Sequence, residues 1–192
     1  MNRFFVFLVL GTLSGAGLAW AETTAMPSNS SAAQQYFTDT ELVDQDGTPQ
    51  RFFSDLLDGK VVLIHPFFTS CQGVCPVMTA NVAKIQGWLG DRLGQDVHLI
   101  SVSVDPENDT PERIKAYAEQ FGARDGWYFL SGSPEKVQFL LGRLGEKVDD
   151  PEAHSSLMYV GNVPTELWKK VQGLSPADEI IAILDSVLRD EE

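Results

Sequence analysis

Val61 to Phe68 is an almost unbroken apolar run, and Val97 to Val104 is a second one. Runs of this length without polar alternation predict strands buried on both faces. Between them, Pro76 to Leu93 carries Val77, Val82, Ile85 and Leu89 at helical spacing, which predicts a helix facing the sheet. Downstream the same reading gives a helix over Pro111 to Phe121, a short strand over Trp127 to Leu130 and a helix over Pro134 to Leu144. Ser156 to Val160 then reads as a strand, Glu166 to Val171 as its hairpin partner, and Pro176 to Leu188 as a closing helix. Near the front, Asp46-Gly47 is a turn signal, with Gln50 to Phe53 as a short return strand, so a small hairpin leads the fold. Strands alternating with helices predict an α/β architecture whose partly parallel sheet is covered on both faces. The final strand, strand and helix add an antiparallel edge.

The chain has 192 residues, of which 43% are hydrophobic and 10% aromatic, enough for one domain with a sizeable core. Its first 21 residues do not read as part of that core. Arg3 supplies a positive start, Phe4 to Leu10 is apolar, and Ala19-Trp20-Ala21 is a small-x-small cleavage site, so 1–21 reads as a signal peptide, with an uncleaved anchor as the alternative. Residues 22–36, rich in Thr, Ser, Asn and Ala, read as a flexible spacer, and 37–192 as the folded domain. The expected location is outside the cytoplasm, in the periplasm, with membrane contact only if the N-terminal segment is retained. A net charge of −13, with no clustered Lys or Arg, excludes nucleic acid as a partner class.

Only two cysteines are present, Cys71 and Cys75, in the string Phe68-Thr69-Ser70-Cys71-Gln72-Gly73-Val74-Cys75-Pro76. The predicted strand before them and helix after them put both sulfurs on a strand-to-helix turn. A helix N-terminus lowers a thiol pKa and favours the thiolate, the species that attacks disulfides and binds soft metals. Pro76 suits the first helical position, so the helix is expected to begin at or just after Cys75. In an exported protein the pair could equally be a structural disulfide, but a bridge closing so short a loop removes little chain entropy, and reactive thiols are the better reading.

A metal on two thiolates wants a third donor, and the chain offers His65, His98 and His154. His65 lies inside a predicted buried strand and reads as core. His98 opens the second strand, at the end of a parallel sheet opposite the cysteine loop. His154 sits in a polar loop just before a strand, free to approach another loop. Two thiolates and an imidazole suit copper, the cuprous ion in particular, while zinc accepts the same donors but would keep an open position. Met78 and Met158 read as core fillers rather than extra ligands, and Trp88, Trp127 and Trp168 as packing. In Asp105 to Pro111, Asp109 or Thr110 is expected to cap the following helix.

The cysteine string, the stretch Ser101-Val102-Ser103-Val104-Asp105-Pro106-Glu107-Asn108-Asp109-Thr110-Pro111-Glu112 and His154-Ser155 before a strand together resemble the Sco (SenC) family of copper-handling proteins. The resemblance runs from about Thr38 to the C-terminus in one order. It departs from the family pattern at Gln72 and Gly73, where a Pro and an acid are usual, at Ala153, often an Asp, and at Asn108, commonly an Arg. It implies a thioredoxin-like fold, a central mixed sheet flanked by helices, with copper held by Cys71, Cys75 and His154. It further implies a metallochaperone for the dinuclear copper centre of cytochrome c oxidase, whose copper-centre subunit or another copper protein is the partner. Alternatively, Cys71 and Cys75 form a catalytic redox pair that reduces a partner's cysteines. The remaining reading is a non-catalytic acidic binding module with a structural disulfide.

Overall fold

Seven consecutive buried residues, Val61–Phe67, form strand β3, and seven more, Val97–Ser103, form β4 beside it. These are the centre of a sheet in a computed structural model that describes residues 31–147 and 149–190. The expected signal segment 1–21 lies outside the described residues. The sheet has strand order β5-β4-β3-β6-β7, with β5 at Trp127–Leu130, β6 at Leu157–Asn162 and β7 at Leu167–Gln172. β3, β4 and β5 run parallel, whereas β6 is antiparallel to β3 and β7 antiparallel to β6. The expected mixed sheet with an antiparallel edge is therefore present.

Helices α2 (Val74–Leu89), α3 (Pro111–Gln120), α4 (Pro134–Leu144) and α5 (Ala177–Leu188) cover the sheet. The buried stripe of α2 is Cys75, Met78, Val82, Ile85 and Leu89, steps of three and four that hold one face toward the core. Val77 falls off that stripe and is 51% exposed, as Trp88 is at 42%, so neither does the packing expected of it. Trp127, by contrast, is fully buried. α2 also begins earlier than expected and stops at Leu89, where Gly90 takes a positive φ of 56° and a single 3-10 turn follows.

The leading hairpin pairs β1 (Glu41–Val43) with β2 (Pro49–Arg51), its turn held by Asp44, which accepts from the N–H groups of Asp46 and Thr48. It lies against the β5 edge of the main sheet, joined there by a single bridge. Val43 exchanges backbone hydrogen bonds with Ser131, and the Gln45 amide accepts from Phe129 N–H while donating to the Trp127 carbonyl. The return strand is shorter than expected. Phe52–Leu57 forms one π-helical turn, because Phe52, Phe53, Leu56 and Leu57 are all buried and strand alternation would have turned one of each pair outward. The expected spacer ends in structure too: Ser31 caps a short helix α1 (Ala32–Phe37) whose Ala33 and Phe37 are buried.

Candidate functional site

The cysteine loop leaves the C-terminal end of β3 and is fixed before the first thiol. Cys71 N–H donates to the Phe68 carbonyl at 3.3 Å, closing a tight turn. Two residues earlier, Thr69 is held by Asp109. Its hydroxyl donates to Oδ1 at 2.6 Å and its N–H is shared between both carboxylate oxygens. Ser103, the last residue of β4, donates to the other oxygen of Asp109 at 2.6 Å. Thr110, one of the two residues expected to do so, caps α3, and Asp109 joins the ends of two parallel strands. Burial pushes the Asp109 carboxyl up, against the hydrogen bonds from Ser103 and Thr69.

Cys75 is the second residue of α2 and fully buried, while Cys71 on the loop is 7% exposed. Both are free thiols. The structure overturns the expectation of a helix-lowered pKa: burial, and then the neighbouring Cys71 thiol, push Cys75 well above the ordinary thiol range. A single turn in the loop before β6 brings the histidine across. Asp150 caps a 3-10 turn, Pro151–Ala153, and His154 ends it with extended φ and ψ of −64° and 151°. The His154 ring meets Phe68 edge to face, and its Nε2 lies 3.2 Å from Cys75 Sγ.

The tautomer follows from the other ring nitrogen. Nδ1 is 2.7 Å from the Ser155 carbonyl, which can only accept, so Nδ1 carries the proton and Nε2 turns a lone pair toward the sulfurs. Cys71 Sγ, Cys75 Sγ and a His154 ring nitrogen all lie within 4.8 Å of one another. Donors bound to one ion at about 2.0–2.3 Å stand roughly 3.5–4 Å apart, so small side-chain adjustments would bring the three around a single metal. Among the described residues no other group of three or more His, Cys, Asp or Glu side chains converges in this way.

The other two histidines are elsewhere engaged. His65 donates from Nδ1 to the Pro66 carbonyl at 3.1 Å and accepts at Nε2 from Ser101 Oγ, 2.7 Å away, which in turn accepts from Trp127 Nε1. Burial lowers its pKa to about 4. His98 pairs in register with Val62 at the start of β4 and bonds the Leu56 carbonyl, at the far end of the sheet from the thiols. Met78 and Met158 are fully buried. An open groove of about 520 Å³, lined among others by Tyr36, Arg143, Tyr159 and Trp168, does not include the cysteines.

One participant escaped the sequence reading. Glu146 is 2% exposed and accepts from Ser155 N–H, Ser155 Oγ and Tyr159 OH. Burial, and then this carboxylate, push the Tyr159 phenol above its ordinary range. Gly145 before it is legible as a helix-ending residue, but nothing in the sequence marks the acid that follows as buried.

Fold and site together define a thioredoxin-like protein with two thiols and an imidazole at the C-terminal end of its central strands. The SCO1/SenC family model matches residues 28–189, and the chain belongs to that family. It is 34% identical to the SCO1 protein homolog of Bacillus subtilis (strain 168) over 153 residues, 74% of this chain and 78% of that protein. Among solved structures it is similar to BsSco, described as a member of the Sco family of cytochrome c oxidase assembly proteins with a disulfide switch. That match has a TM-score of 0.64 and 34% identity, covering 77% of this chain and 90% of the other. It is also similar to Bradyrhizobium japonicum ScoI with copper bound, with a TM-score of 0.63 and 26% identity over 77% of this chain and 96% of the other.

Proposed function

We propose that the protein is a copper-binding assembly factor that holds one copper ion on Cys71, Cys75 and His154 and delivers it to, or matures, the dinuclear copper centre of cytochrome c oxidase. The observation that carries this reading is the convergence of two thiols on an imidazole whose Nε2 is already bare. Two soft thiolates and one imidazole are a donor set that favours copper, the cuprous ion above all. The B. japonicum relative, described with copper bound, and BsSco, described with oxidase assembly, support the cargo and the partner. The export pattern at residues 1–21 supports the periplasm as the working compartment.

Each residue's part follows from its place. Cys75, buried in the first turn of α2, is the fixed inner donor. Cys71 is the more exposed thiol, so an incoming ligand on the acceptor reaches it first and exchange begins there. His154 is held through Nδ1 and offers Nε2 alone. Both thiols give up their protons when the ion binds, so the cysteines must be reduced for uptake. The test is titration of reduced protein with cuprous copper against a chromophoric competitor. One ion per chain is expected, with an affinity loss of at least about tenfold in His154→Ala. A His154→Ala variant that binds copper as the parent does removes the histidine from the site and the reading with it.

A thiol–disulfide role is favoured by one observation: of two free, adjacent thiols, Cys71 alone reaches the surface. In that role the Cys71 thiolate attacks a partner disulfide and releases one partner thiolate. Cys75 then attacks Cys71 Sγ, releasing the second and leaving a Cys71–Cys75 bridge, so two electrons pass to the partner. This chemistry needs no histidine ligand, and His154→Ala largely retains it.

A further inference from the structure

We infer that Glu146 is a positioning residue for His154, setting the tautomer and direction of the imidazole through Ser155. The path is short and each link is a hydrogen bond. α4 ends at Gly145, whose left-handed backbone (φ 77°, ψ 21°) reverses the chain, and Glu146 N–H returns to the Leu141 carbonyl at 2.8 Å. The Glu146 backbone is thereby tied to a helix rather than to the loop that carries His154. Its side chain points inward, where one oxygen accepts from Ser155 Oγ at 2.6 Å and the other from Ser155 N–H at 3.2 Å. Tyr159 OH, from β6, donates to the carboxylate at 2.6 Å and fixes it from the sheet side.

Held at both its amide and its hydroxyl, Ser155 has little freedom to turn its carbonyl, and that carbonyl receives Nδ1–H of His154 at 2.7 Å. Free rotation at Ser155 would let the ring exchange tautomers and swing Nε2 away from Cys75. A carboxylate that accepts three hydrogen bonds while 2% exposed is held in one orientation, with two of the three bonds coming from Ser155. The Ser155 carbonyl is the group hydrogen-bonded directly to the ligand, and such groups fix its orientation and basicity; Glu146 acts one hydrogen bond further out, by holding that residue.

The affinity arm of the test rests on the metal reading of the site; the tautomer arm does not. In metal-free, reduced protein, ¹⁵N NMR of the histidine rings is expected to show His154 as a single Nδ1–H tautomer. Glu146→Gln, which replaces one acceptor oxygen with an NH2 group, is expected to give a mixture of tautomers at His154 while leaving His65 unchanged. Its cuprous affinity should fall about 10–100-fold. Tyr159→Phe keeps both bonds to Ser155 but loses the one that steadies the carboxylate from the sheet side, and is expected to disturb both measurements less than Glu146→Gln does. If Glu146→Gln does not fold, Ser155→Ala deletes the hydroxyl's bonds to Glu146 and from Leu157 N–H, keeps the Ser155 amide bond to Glu146, and carries the same test. An unchanged single tautomer in the Glu146 or Ser155 variant, or an equal disturbance in Tyr159→Phe, overturns the inference. Loss of copper binding by the parent with the tautomer shift intact overturns the metal reading and leaves the positioning role standing.

Discussion

Thr69 and Asp109, forty residues apart, are bound through both the hydroxyl and the N–H of the threonine, so the loop after β3 is tied to the loop after β4. Asp109→Ala would strand the buried Ser103 hydroxyl and leave the half-buried Thr69 without its partner, at a cost of about 1–3 kcal/mol. Urea unfolding should show a lower midpoint at unchanged slope. A variant as stable as the parent would mean that water replaces the carboxylate without loss.

Burial of His65 makes a pH prediction. Its folded pKa is lowered from 6.5 to about 4, so between those values the unfolded chain binds the extra proton. The stability it supports is complete above about pH 6.5 and is lost as pH falls toward 4, up to roughly 3 kcal/mol. The unfolding midpoint measured from pH 7 to pH 4 should therefore fall, and His65→Gln should flatten the curve. A slope equally steep in that variant would assign the effect to other groups.

Gly161 in β6 faces Trp168 in β7, and a methyl group there would stand 2.5 Å from the indole ring. Gly161→Ala should displace Trp168 and cost about 1–3 kcal/mol through overpacking. The checks are a lowered melting temperature and a red-shifted tryptophan emission. An unshifted spectrum would show that the ring stays where it is.

Val77 and Val82 look alike in the hydrophobic pattern and differ in the fold, one 51% exposed and the other fully buried. Val82→Ala should cost about 1–3 kcal/mol, and Val77→Ala should stay within about 0.5 kcal/mol of the parent. Equal losses in chemical denaturation would contradict the assignment of the α2 face.

The same pair shows how far the sequence could be read. Long buried strands and helices with regular spacing stand out because burial alone writes them, which is why β3, β4, α2 and their order were legible. The helical period of α2, though, allows more than one apolar stripe, and only the sheet decides that Cys75 and Met78, not Val77, face inward. The Phe52–Leu57 turn was misread because local β propensity favours a strand, while four buried side chains demand a helical face.

At the site, His154 was legible by elimination among three histidines and by the family resemblance. Glu146 was not, because an isolated acid in a polar loop is indistinguishable from a solvated one until Ser155 and Tyr159 are placed around it. The high thiol pKa of Cys75 was misjudged for a related reason. The sequence shows a helix start, but the burial that outweighs it comes from elements far along the chain.

Strand β5 is a margin of the sheet, and the Gln45 amide sits against it as a backbone peptide would, one acceptor and one donor matched to Phe129 and Trp127. The opposite margin, β7, carries Lys169 and Lys170. One border is thus already occupied and the other is charged, which denies a neighbouring molecule a bare strand to extend. The two margins of the sheet are closed by different means, one by a side-chain amide that imitates a strand and the other by charge.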